Sequence, residues 1–149
     1  MAKETSSMLT GIMIVTTLII TSGAIAYYQF IHVPSSIPPP VPEEFLNPPT
    51  TIEIIISKGS SLSDNSKFFV PNEIVITLGE NNRVKWVNED EVMHTSTSDP
   101  SQSSEWNSNF ILGGESWSLT FIKAGENTYQ CTPHPWMRGS IKVNLPRAH

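Results

Sequence analysis

The apolar residues after Thr50 recur at every second position. Ile52, Ile54 and Ile56 begin the pattern. The same spacing returns in residues 74–78, 84–86, 117–121 and 141–143. Alternation with one apolar face is typical of antiparallel sheets that are solvated on one side. About seven or eight short strands separated by turns predict an all-β, Greek-key β-sandwich over residues 50–149, and no segment after Ile31 has a helical period.

Residues 9–31 contain no charged side chain over 23 positions. A helix of that length spans about 35 Å, which is enough to cross the ~30 Å hydrocarbon core of a bilayer. Tyr27, Tyr28 and Phe30 stand at its far end, where an aromatic belt would lie. These features predict a transmembrane anchor at 9–31, preceded by a polar N-terminus at 1–8.

A cleaved signal peptide is the alternative interpretation of the same stretch. Its apolar core would be residues 9–20, and Ala24-Ile25-Ala26 would be a small-x-small cleavage site. The apolar stretch continues past that site to Ile31, which favours the uncleaved anchor. Both interpretations place the rest of the chain on the extracytoplasmic side, which is either the periplasm or the cell surface.

Residues 32–49 form the predicted linker. Seven of the 16 residues between positions 34 and 49 are proline. Such a density favours polyproline II, a semi-rigid spacer of up to ~50 Å at ~3.1 Å per residue. A spacer of this kind would let the following domain reach a partner above the membrane.

Charge and cysteine content exclude two broad classes of protein. The formal net charge is −5 and no run of Lys and Arg occurs, which argues against nucleic acid as a partner. A single cysteine makes an intramolecular disulfide framework impossible. The compartment must therefore be inferred from the N-terminal segment.

That cysteine lies in the most informative motif of the chain. Cys131, His134 and Met137 have the spacing C-x2-H-x2-M. A thiolate, an imidazole and a weak thioether are ligands of mononuclear copper electron-transfer sites, which need a second imidazole that His94 could supply. A lone cysteine is often only a small buried hydrophobe, and a methionine a gap-filler. Three such side chains on one short loop favour the copper interpretation.

The sequence around this motif resembles that of the cupredoxins, the small type 1 blue copper proteins. Residues 129–139, YQCTPHPWMRG, are similar to the copper-binding loop, and the two-residue gap between His and Met is similar to that of amicyanins, whereas plastocyanins have a longer gap. The upstream half matches through FVP at 69–71, Gly79, VKWVN at 84–88 and HT at 94–95. The resemblance covers roughly residues 50–145.

This resemblance implies a ligand set and a function. His94, Cys131 and His134 would be the strong ligands of one copper ion, and Met137 the axial ligand. The protein would carry single electrons between redox protein partners rather than act as an enzyme. The partners would dock near Pro135 and Trp136.

It also implies roles for residues around the ligands. Because Pro133 has no N–H, the Thr95 N–H is the donor expected at the Cys131 sulfur. The Asn88 side chain would tie the ligand loops together. The acidic run 89–91 could steer a basic partner, although most such runs are solvated turns.

Two other chemistries use similar residues. Zinc sites take Cys and His, but methionine is a poor zinc ligand, and no carboxylate or second cysteine is placed to complete such a site. A small-molecule copper redox enzyme, for example one acting on nitric oxide, would result if Met137 lies too far to coordinate and leaves the axial position open. Binding of an added small ligand distinguishes this enzyme from a carrier.

Overall fold

The protein is described by a computed structural model that covers residues 2–32 and 39–146. The chain divides into two compact units, Met1–Pro40 and Val41–His149. The domain boundaries proposed above, at 8/9, 31/32 and 49/50, remain predictions.

Residues 2–32 of the first unit are helical. Helix α1 spans Ala2–Tyr27 and continues as a π-helical turn over Tyr28–His32. Met8–Phe30 is long and apolar enough to cross a membrane, and its side chains are exposed rather than packed in a protein core. A signal sequence near an N-terminus would also have these properties. The hydroxyls of Thr16, Thr17 and Thr21 donate to carbonyls three or four residues earlier, so these polar groups are satisfied within the helix, as a lipid environment requires.

The second unit is a sandwich of two four-stranded sheets, which confirms the predicted fold class. Its elements are α2 (Glu43–Leu46), β1 (Thr51–Ile56), β2 (Phe69–Val70), β3 (Glu73–Thr77), β4 (Arg83–Asn88), β5 (Thr97–Ser98), β6 (Ser116–Thr120), β7 (Gly125–Gln130) and β8 (Arg138–Asn144). The strand orders are β2-β1-β4-β6 and β3-β8-β7-β5.

The sheets are mixed rather than purely antiparallel as expected. β1 is parallel to β4, from Thr51↔Arg83 to Ile56↔Asn88, and β3 is parallel to β8. The spacing of apolar residues along a strand indicates which face is buried. It does not indicate whether the neighbouring strand is parallel or antiparallel. Both parallel pairs join strands that are not consecutive in the chain, so local sequence does not reveal them.

The predicted apolar faces meet between the two sheets. Ile54, Ile56, Val84 and Trp86 from one sheet are fully buried, and so is Ile141 from the other. Burial of each such side chain stabilises the fold by about 1.5–3 kcal/mol. This core supports the loops at the end of the sandwich where the candidate ligands lie.

The C-terminal part of the predicted linker differs from a polyproline spacer. Residues 43–46 form α2, and Phe45 packs against the core. Asn82 Nδ2 donates to the Phe45 carbonyl at 2.8 Å, and Arg83 Nη2 donates to the Leu46 carbonyl at 3.1 Å. Partial burial of the Phe45 ring and full burial of Pro48 hold this segment against the sandwich. The second unit, Val41–His149, is called the β unit below. Residues 33–38 of the predicted linker lie outside the described residues.

Candidate metal centre

The C-x2-H-x2-M motif forms the tip of the β7–β8 hairpin. The Cys131 N–H donates to the Met137 carbonyl at 3.1 Å, which extends the ladder by one pair. Inside that pair, the His134 N–H donates to the Cys131 carbonyl at 3.2 Å, and the Met137 N–H donates to the His134 carbonyl at 2.9 Å. The loop is thus two consecutive turns. Pro133 and Pro135 fit it because neither turn needs a donor at those positions.

Three potential ligand atoms converge beside this loop. Cys131 Sγ lies 3.6 Å from His94 Nδ1 and 3.5 Å from His134 Nδ1, and the two nitrogens are 3.1 Å apart. A triangle with edges of about 3.4 Å has its centre about 2.0 Å from each corner, close to ordinary metal–nitrogen and metal–sulfur distances of about 2.0–2.3 Å. Two imidazoles and one thiolate in a trigonal arrangement fit copper.

Burial differs among these three residues. His94 and Cys131 are fully buried, whereas His134 is half-buried. A centre held by them is therefore shielded from water on the side of the core and reaches the surface only at His134.

Met137 is fully buried at the end of the same loop, where the predicted axial ligand belongs. Met93, the other methionine of the β unit, is 47% exposed although it adjoins His94. Met137 is therefore the methionine that lies inside the protein with Cys131. Coordination by Met137 remains a prediction.

Asp90 orients the first histidine. Its Oδ2 lies 2.9 Å from His94 Nε2, and the carboxylate also accepts N–H groups from Gly59, Ser61 and Glu91. An imidazole that donates from Nε2 presents its lone pair at Nδ1, where the thiol lies. The acidic run 89–91 is therefore not simply a solvated turn, because its middle residue is buried. The sequence does not reveal this role, although Asp90 stands four residues before the predicted ligand.

The environment shifts the pKa values of three residues at this site. Burial raises the pKa of Asp90, but the N–H of Gly59, the His94 imidazole and the other donors outweigh it, and the net shift is downward. Burial, and then the charge of His94, lower the pKa of His134, with Asp90 opposing them. Burial raises the pKa of Cys131 although Thr95 opposes it. A metal cation must therefore displace a proton from this thiol.

Thr95 connects the two ligand segments. Its N–H lies 3.3 Å from Cys131 Sγ, as the resemblance implies. Its hydroxyl also accepts the Thr132 N–H at 2.8 Å. Thr95 and Ser96 are polar but buried. Hydrogen bonds to the core and to the Cys131 loop satisfy them there.

Asn88 ties a different pair of segments from the one expected. Its Nδ2 donates to the carbonyls of Val92 and Ile111, at 2.8 and 2.9 Å. Ile111 in turn exchanges two backbone hydrogen bonds with His94. Asn88 therefore holds the loop that carries His94, not the loop that carries Cys131.

The surface around His134 is apolar and aromatic. Trp136 is 39% exposed, its ring centroid lies 5.4 Å from that of His134, and its Nε1 donates to the Ser60 carbonyl at 3.2 Å. Pro133 and Pro135 are exposed on either side of the histidine. Trp136 is thus a tethered surface residue rather than part of the core.

Comparison with known proteins agrees with this site. Residues 59–144 match the model of the copper binding proteins of the plastocyanin/azurin family. An amicyanin from Paracoccus versutus is 32% identical over 82 residues, which is 54% of this chain and 60% of the relative. An amicyanin from Paracoccus denitrificans is 55% identical over 29 residues, which is 20% of this chain and 22% of the relative. The chain thus spans less than two thirds of either amicyanin.

Solved structures show the same fold. A purple cupredoxin from Nitrosopumilus maritimus has 28% identity and a TM-score of 0.56, and the match covers 62% of this chain and 99% of that one. A reduced Cu(I) amicyanin variant has 26% identity and a TM-score of 0.51, with coverage of 63% and 82%. A copper-containing nitrite reductase from Thermus scotoductus has 23% identity and a TM-score of 0.55, and the match covers 72% of this chain but only 28% of the reductase. At this identity the likeness shows a shared fold alone. The family model covers more than half of the sequence, and we conclude that the chain belongs to the plastocyanin/azurin family, with copper as its cofactor.

Proposed function

We propose that the protein carries single electrons on one type 1 copper ion held by His94, Cys131 and His134, with Met137 as the axial ligand. The observation that supports this most directly is the triangle of donor atoms with edges of 3.1, 3.5 and 3.6 Å. Bound copper would supply two oxidation states that differ by one electron. The protein's own residues keep the donors in place for both oxidation states.

The hydrogen bonds around the donors support rapid electron transfer. Asp90 holds the His94 ring, Thr95 donates to the Cys131 sulfur, and backbone bonds close the Cys131–Met137 loop. These contacts would hold the donors in one arrangement in both oxidation states. A site that rearranges little between two states exchanges electrons with a small barrier.

The partners would be redox proteins that dock near Pro135 and Trp136. An exposed tryptophan beside a half-buried ligand offers a rigid aromatic anchor, and such residues are enriched in binding hot spots. The electron would leave the copper centre through the imidazole of His134. Trp136→Ala would then slow electron exchange with a redox protein without changing the copper spectrum.

The proposed location is the outer face of the membrane, with residues 9–31 as the anchor. The apolar α1 supports this, since its threonine hydroxyls are satisfied within the helix. The linker would keep the copper domain accessible to partners above the bilayer.

Copper loading tests the proposed function. We expect one equivalent of Cu(II) to produce an intense visible thiolate-to-copper band and a type 1 electron paramagnetic resonance spectrum. Cys131→Ser should lose the band and retain its circular dichroism, because the band requires the sulfur. A band that survives in this variant would refute the ligand assignment.

The alternative, a small-molecule copper redox enzyme with an open axial position, gives a different result. Nitric oxide or another small ligand would then bind the metal and change both spectra. Full burial of Met137 on the loop that carries Cys131 and His134 supports the carrier, in which this thioether would occupy the axial position. Unchanged spectra with added ligand support the carrier.

A further inference from the structure

Three tryptophans form a continuous aromatic row inside the sandwich. The ring centroids of Trp106 and Trp86 are 6.3 Å apart, and those of Trp86 and Trp117 are 5.3 Å apart, both at tilted angles. Tyr129 lies beside this row, 5.9 Å from Trp106 and 5.7 Å from Trp86. Tilted and edge-on arrangements at these distances are ordinary favourable aromatic contacts. They also place three oxidisable indoles in sequence.

One end of the row connects to the Cys131 sulfur. Trp106 Nε1 donates to Ser96 Oγ at 3.0 Å, and Ser96 adjoins Thr95, whose N–H lies 3.3 Å from Cys131 Sγ. Two hydrogen bonds and one peptide link therefore lead from the first indole to the thiolate. Electron coupling is stronger along bonds and hydrogen bonds than across empty space.

The other end of the row reaches the edge of a sheet. Trp117 lies in β6, the edge strand of its sheet, directly opposite Trp86 in the ladder. Its side chain is half-buried, and its neighbours Ser116 and Ser118 are exposed. An oxidant outside the protein can therefore approach Trp117 but not the buried Trp86.

We propose that Trp117, Trp86 and Trp106 form a second electron route, separate from the exit at His134. It would carry an electron from the reduced copper centre to a strong one-electron oxidant at the sheet edge, such as a radical derived from dioxygen. This inference rests on the proposed copper carrier function. The oxidant would be intercepted at Trp117 before it reaches the buried thiolate.

The electrons in this route balance without any bond being made or broken. The oxidant would take one electron from Trp117. Trp86 would then reduce the oxidised Trp117, and Trp106 would reduce the oxidised Trp86. Trp106 would regain its electron through Cys131 from the bound, reduced copper. The net change is one electron lost by the metal and one gained by the oxidant, while all three indoles return to their starting state.

The surroundings of the indoles favour transfer without loss of a proton. Trp86 Nε1 is buried and faces the Tyr129 hydroxyl, and Trp106 donates only to a hydroxyl. Burial raises the pKa of Tyr129 although Trp86 opposes it, and no described residue accepts the Tyr129 proton. Without a base to accept its proton, Tyr129 is not readily oxidised. The three indoles are therefore the relay.

Time-resolved oxidation of the copper-loaded, reduced full chain tests the route. A ruthenium polypyridyl photosensitiser is attached to β6 through Ser118→His, and a flash with a quencher generates its oxidised form. We expect a transient tryptophan radical, followed by growth of the thiolate-to-copper band. Trp117→Phe and Trp106→Phe should each slow that growth at least about tenfold, because phenylalanine packs similarly but is not oxidised. Phe121→Leu is the matched control, since it removes a ring 5.3 Å from Trp106 that is not an indole.

Each outcome decides between a relay and simple core packing. Equal rates in the parent and in Trp117→Phe, or equal slowing in Phe121→Leu, would overturn the relay while leaving the carrier function intact. A parent protein without the visible band would instead refute the copper carrier. If Trp106→Phe disturbs the band, Trp117→Phe decides alone, because its half-exposed site tolerates the change.

Discussion

At the scale of single residues, Asp90 decides how His94 faces the metal. We expect Asp90→Asn to keep the fold but weaken copper binding by about 10–100-fold, because removal of an outer carboxylate lowers the basicity and order of the imidazole. Competition titration with a chelator measures the change. Glu91→Gln, at an exposed neighbouring carboxylate, is the control and should bind copper as the parent does. Equal affinity in both variants would show that the 2.9 Å contact does not act on the metal.

Met137 is the other residue whose role a single substitution can establish. Met137→Leu should keep copper and the visible band but raise the reduction potential, because an apolar side chain removes a weak donor that stabilises the oxidised metal. Cyclic voltammetry compares the two proteins. Met93→Leu is the matched control at an exposed methionine and should leave the potential unchanged. An unchanged potential in Met137→Leu would exclude axial coordination and favour the open-site enzyme.

At the scale of elements, the Cys131–Met137 loop governs the response to acid. Burial and the charge of His94 lower the pKa of His134, so protons compete with the metal for this imidazole only at a pH below the usual histidine range. Oxidised copper holds imidazole more strongly, so we expect protonation in the reduced protein alone. Protonation of the reduced form favours reduction, and the potential should therefore rise as pH falls, approaching ~59 mV per pH unit.

The same loop contains features that oppose this response. Pro133 and Pro135 restrict the backbone, and Trp136 is tethered to Ser60. Voltammetry between neutral pH and about pH 5 distinguishes the two influences. A flat potential over that range would mean that the loop holds His134 in place against protonation.

Helix α2 is the second element with a measurable contribution. The free energy of unfolding of a chain beginning at Thr50 should be lower by about 2 kcal/mol or more than that of one beginning at Val41, because the truncation uncovers the surface under Phe45 and removes one partner of Asn82. Urea unfolding of the two metal-free chains measures this difference. Equal stabilities would show that α2 only rests on the β unit.

At the scale of the whole molecule, one unit exposes apolar side chains and the other has a buried core. We expect the full chain to stay with membranes after a high-salt or carbonate wash, and a chain beginning at Val41 to be soluble with the same copper spectrum and potential. The reason is that α1 exposes apolar side chains whereas the β unit buries its own. Release of the full chain by the wash would contradict the anchor. A mature N-terminus near residue 26, read by mass spectrometry, would show instead that the stretch is a cleaved signal.

Short-range spacing was enough to predict the β-sandwich, the apolar helix, and the C-x2-H-x2-M motif with His94 upstream. Each of these features lies within a short window of sequence, as an alternating pattern, an uncharged run or a fixed spacing of ligands. The parallel pairing of β1 with β4, the packing of α2 and the row of tryptophans depend on long-range contacts and are visible only in the folded protein. Asp90 shows why: its carboxylate accepts N–H groups from Gly59 and Ser61, which precede it by 31 and 29 residues. Such contacts form when distant segments close over one core, and no period within a segment records them.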